Sequence, residues 1–116
     1  MRLVLAALLL APAAAAAHAM LEAAIPPVGS TVTQAPTELA LTYSESIEPR
    51  FSKVAVTDAT GARLDQGDLR VDPQNATHLI VPVKPLPPGT YTVTWHAVSV
   101  DAHRTQGSYH FKVSAP

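Results

Sequence analysis

After residue 17 no stretch of this chain sustains a helical period, and ten of its eleven prolines fall there, between short runs of alternating apolar and polar residues. Proline removes a backbone donor and fixes φ, so it breaks helices and is confined to strand ends and edges. Alternation at period two puts one apolar face on an extended strand. Residues 21–25 make a first strand, stopped by Pro26-Pro27 and turned at Gly29-Ser30. Leu39, Leu41 and Tyr43 form one apolar face, Val54 and Val56 another, and Leu69 with Val71 a weaker one. Residues 77–83 carry Leu79 and Val81, and residues 90–100 carry Tyr91, Val93 and Trp95. Residues 108–113 point Tyr109, Phe111 and Val113 inward. The pattern predicts an all-β domain of about seven short strands, an Ig-like β-sandwich or a Greek-key β-barrel, with Trp95 in the core. The alternation changes after Ala97, which marks a bulge or strand end.

The first 17 residues read differently. Met1-Arg2 is a short positive start, residues 3–10 are unbroken apolar, and residues 13–17 are all alanine, the pattern of a secretory signal peptide. The apolar run is too short to cross a bilayer. The mature chain, one domain, is expected outside the cytoplasm. Two cleavage points satisfy the small-x-small rule: after Ala17, freeing His18, or after Ala19, freeing Met20.

Arg2 is the one charge in the leader, so the domain keeps seven Lys+Arg against nine Asp+Glu. This near balance without a basic run argues against a nucleic-acid partner held through its phosphates. With no cysteine, a disulfide scaffold, a thiolate metal site and a thiol nucleophile are excluded. No Ser-His-Asp arrangement and no Gly-rich phosphate loop is present. Chemistry concentrates at Asp101 and His103, where the longest strand runs out. In extended chain, residues two apart face one side, so this pair can present an oxygen and a nitrogen together. If His18 is the mature terminus, its α-amine and ring Nδ1 can close a chelate on one ion. Three nitrogens and one oxygen make a tetragonal set suited to Cu(II), ahead of zinc, calcium or magnesium.

The chain resembles the CopC family of periplasmic copper-binding proteins. The matching stretches are His18-Ala19 after the leader, Pro26-x-x-Gly29-Ser30, and Leu41-Thr42-Tyr43-Ser44-Glu45-x-Ile47-Glu48. They continue with Phe51-Ser52-x-Val54, Leu86-x-Pro88-Gly89-Thr90-Tyr91-Thr92-Val93-x-Trp95, and Val98-Ser99-x-Asp101-x-His103 followed by Gly107. The resemblance favours cleavage after Ala17, and so implies a signal peptide over 1–17 and a copper-binding domain over 18–116 in the periplasm. It implies a β-sandwich that holds one Cu(II) ion through His18, Asp101 and His103, and works in copper resistance or homeostasis as a carrier or sequestering chaperone. Glu45 matches an acidic position near the metal in the family, as a long axial contact or an acceptor for the His18 amine. A CopD-like inner-membrane protein is the implied partner. A site built within one chain calls for no dimer, so a monomer is expected.

Some members also carry a methionine-rich loop for Cu(I). Residues 57–73 here contain no methionine, and Met20 is the one thioether left after the leader, so a Cu(II)-only protein is expected. Of the remaining histidines, His78 and His110 are expected on outward strand positions, and His96 closest to the site. Two other functions share part of this pattern. A copper mono-oxygenase would use the same amine chelate, but an equatorial carboxylate stabilises Cu(II) against reduction. A metal-free Ig-like interaction module follows if Met20 is the first mature residue.

Overall fold

The computed structural model describes residues 20–116. Eight strands follow one another: β1 (Leu21–Ile25), β2 (Thr31–Val32), β3 (Glu38–Tyr43), β4 (Lys53–Thr57), β5 (Arg70–Asp72), β6 (Asn75–Pro82), β7 (Gly89–Val98) and β8 (Arg104–Val113). A 3-10 turn, Pro49–Phe51, precedes β4. The strands form two four-stranded sheets, ordered β1-β3-β6-β5 and β2-β8-β7-β4. All pairings are antiparallel except β2 with β8, which is parallel. Among the described residues no helix is long and apolar enough to cross a membrane.

The inward faces are the ones the alternation marks. Leu39, Leu41 and Tyr43 of β3 with Leu79 and Val81 of β6 meet Val54 and Val56 of β4, Tyr91, Val93 and Trp95 of β7, and Tyr109, Phe111 and Val113 of β8 in one core. Burying each of these aliphatic side chains contributes roughly 1.5–3 kcal/mol. Aromatic edges tie the two sheets together: the Tyr43 and Trp95 rings lie 6.3 Å apart in an edge-on arrangement. The Tyr91 hydroxyl donates to the Pro87 carbonyl and closes the corner that leads into β7.

Eight strands replace the expected seven. β2 is two residues long, too short to show a period, and it exists by pairing Thr31 and Val32 beside Lys112 and Val113 of β8. β8 begins at Arg104 and not at residue 108: residues 104–107 pair with 95–98 of β7, and the alternation misses them because Gly107 has no side chain to face inward. A Cβ at position 107 would lie 2.5 Å from Cζ2 of Trp95, so the indole occupies the room a side chain there would need. β7 ends at Val98, in agreement with the strand end expected after Ala97.

Candidate metal centre

The site grows out of the connection between β7 and β8. Ser99 is 2% exposed, and its Oγ accepts the backbone N–H groups of Asp101 (3.2 Å) and His103 (3.1 Å). Its own N–H donates to the His103 carbonyl at 2.9 Å, and the Ala102 N–H donates to the Ser99 carbonyl at 2.9 Å. The loop is thus wound around one buried serine, and Ala102 takes a left-handed φ of 68° to complete it. This corrects the extended geometry expected for Asp101 and His103. A turn separates the two, because the Ser99 hydroxyl captures the amides that a continuing strand would have presented to a neighbour. Asp101 is left exposed and His103 half-buried.

A second segment is stitched against this loop. The Glu48 N–H donates to the Val98 carbonyl, the Val100 N–H to the Ser46 carbonyl, and buried Ile47 bridges Ser99. These bonds hold residues 46–48 beside the loop and bring Glu45, just past the end of β3, to His103. Nδ1 of His103 lies 3.2 Å from Oε1 and 3.4 Å from Oε2 of Glu45. Across from Glu45, β1 starts: the Met20 N–H donates to Ser44 Oγ at 2.9 Å and the Ser44 N–H to the Met20 carbonyl at 2.9 Å. The described chain therefore enters the fold one residue away from Glu45.

The four expected ligands fare differently. Glu45 and His103 are in contact. Asp101 shares the loop but does not join them: among the described residues no three His, Asp or Glu side chains converge closely enough to hold an ion. His18, the leader and both cleavage points lie outside the described residues. His96 is exposed in register with Lys53 and Gln106, on the outward face of its sheet. His110 also points outward, with Nδ1 3.1 Å from Thr92 Oγ1, and His78 lies beside Asn75 and Asp72. Burial pushes the phenols of Tyr43 and Tyr109 above their ordinary range, so neither offers a phenolate at neutral pH. Ser99 is the organising residue that sequence reasoning left without a role; a lone hydroxyl between Val98 and Val100 was its signal.

Residues 21–114 match the family model described as the CopC domain. The chain is 41% identical over 98 residues to protein YobA of Escherichia coli (strain K12), covering 84% of this chain and 79% of that one. It is 36% identical over 111 residues to copper resistance protein C of Escherichia coli, covering 85% and 83%. The crystal structure of CopC from Methylosinus trichosporium OB3b superposes with a TM-score of 0.79 at 26% identity, over 84% of this chain and 95% of that one.

Proposed function

The chain belongs to the CopC family, and from that premise we propose that it is a periplasmic Cu(II)-binding protein, exported on residues 1–17, that carries or sequesters one copper ion. The observation that carries this is the entry of the described chain beside Ser44, one residue from the Glu45–His103 contact. Two residues of extended chain span about 7 Å at most. A terminus beginning at His18 therefore has the reach to meet that contact.

In this account His18 supplies its amine and ring nitrogen, His103 a second imidazole and Asp101 a carboxylate oxygen. A set of nitrogens and oxygen without sulfur favours Cu(II) over Cu(I). Glu45 acts through His103: accepting from Nδ1–H, its carboxylate sets the tautomer in which Nε2 carries the lone pair. The exposed Asp101 closes on the ion from the loop. The cargo is taken up and released unchanged, as a carrier's is.

The test is a competition titration with a Cu(II) chelator on the mature protein, with its first residue established by mass spectrometry. One extra residue ahead of His18, or His103→Ala, should each weaken Cu(II) binding by at least tenfold, about 1.4 kcal/mol. Unchanged affinity in both variants, or a mature chain that starts at Met20, refutes the assignment.

A further inference from the structure

The two sheets differ in charge. β1, β3, β5 and β6 carry Glu22, Glu38 and Asp72 against Arg70, with His78. β2, β4, β7 and β8 carry no carboxylate at all, only Lys53, Arg104 and Lys112 with His96 and His110. In a chain of net charge −1 this segregation leaves one outward face cationic. On that face lies a depression of about 480 Å³ lined by Phe51, Lys53, His96, Val98, Arg104 and Gln106, among others.

Its rim is built for contact. Phe51 is 64% exposed at the end of the 3-10 turn, with the Arg50 guanidinium 5.6 Å from its ring centre. Glu48 partly neutralises Arg50 at 3.5 Å, and Arg63 and Asp65, neither of which lines the depression, neutralise each other. Among the described residues neither Lys53 nor Arg104 has an ion-pair partner. An exposed aromatic that shares a concave site with two cations outside any ion pair calls for an apolar group accompanied by negative charge.

We propose that this face is a docking surface for a partner-protein segment that presents carboxylates around an apolar side chain. A bilayer is a poorer match, because it is flat and is ordinarily gripped by clusters of about four to eight basic residues. Arg104 directly follows His103, and Ala102 lines an adjoining hollow with Arg50, Phe51 and Arg104, so a segment seated there lies against the 99–103 loop. Neither Glu45, Asp101 nor His103 lines the depression, so the surface stands independently of the copper assignment.

The probe is a fluorescently labelled peptide of glutamates flanking one central leucine, titrated into the metal-free mature protein at low salt and followed by anisotropy and amide chemical shifts. Saturable binding is expected, with shifts centred on Lys53, His96 and Arg104. Lys53→Glu combined with Arg104→Glu should weaken it at least tenfold, and Phe51→Ser should weaken it several-fold. No binding, equal binding of a peptide with lysines for glutamates, or unchanged affinity in the doubly reversed variant would overturn the proposal. So would preferential partition onto phosphatidylglycerol vesicles that the same double reversal abolishes, which would make a membrane the occupant.

Discussion

Replacing Ser99 by alanine removes a single oxygen, yet that oxygen holds two amides. Both the Asp101 and His103 N–H groups lose their acceptor, while the bonds from Ser99 N–H to the His103 carbonyl and from Ala102 N–H to the Ser99 carbonyl can persist. Each intramolecular hydrogen bond contributes about 0.5–1.5 kcal/mol net, and an amide stranded without a partner costs about 1–3. The Asp101 side is exposed and can recruit water; the His103 side is half-buried and recovers less. The expected loss is therefore about 2 kcal/mol. For a domain of this size roughly 4–8 °C accompanies each kcal/mol, so the midpoint should fall by about 8–16 °C. Urea unfolding of the metal-free protein measures the loss, and the slope should stay unchanged because the surface exposed on unfolding is the same. Copper affinity should fall at least tenfold in parallel, since the loop no longer holds His103 against Glu45. A stability loss below about 0.5 kcal/mol with copper affinity intact would show that Ser99 does not organise the loop.

Three further outcomes follow from particular contacts. Ala102→Gly should leave stability unchanged or raise it by up to about 1 kcal/mol, because it relieves the positive φ, whereas Ala102→Val should lower it by about 1–2 kcal/mol in the same urea assay. Gly107→Ala drives a methyl into the Trp95 indole and should cost about 1–3 kcal/mol, with a change in the near-ultraviolet circular dichroism of that ring. Asp65 is held below the ordinary carboxylate range by its bond from Arg63 and then by the Val56 amide. Its contribution is therefore complete above the unfolded value near ~3.9 and is lost as pH falls through the lower folded value. Asp65→Asn should cost about 1–2 kcal/mol at pH 7 and nearly nothing once the wild-type carboxyl is protonated, as urea unfolding at the two pH values will register.

What the sequence disclosed of the fold depended on where apolar residues had a choice of face. β3, β4 and the middle of β7 each set one buried side chain against one outward neighbour, so period two marks them unmistakably. β8 shows the same signal only from Tyr109 onward. In its first half the inward face is Gly107, whose space belongs to a tryptophan on the adjacent strand, and no local pattern can announce a cavity filled by another segment. β2 fails for the opposite reason: two residues carry no period, and their pairing to the end of β8 is wholly a matter of tertiary structure.

At the site the residue types were legible and their arrangement was not. Asp101 and His103 stand out as an oxygen and a nitrogen beside a strand end, but the step from spacing to geometry assumed extended chain, and a buried hydroxyl overrides that assumption within four residues. Glu45 and His103 are separated by 58 residues and meet only because the backbone of residues 46–48 bonds to Val98 and Val100. A carboxylate in that position orients an imidazole; the same carboxylate on an untethered strand end would be one more solvated charge. The distinction lies in backbone hydrogen bonds, to which every residue type except proline contributes alike, and so it leaves no mark on composition or spacing.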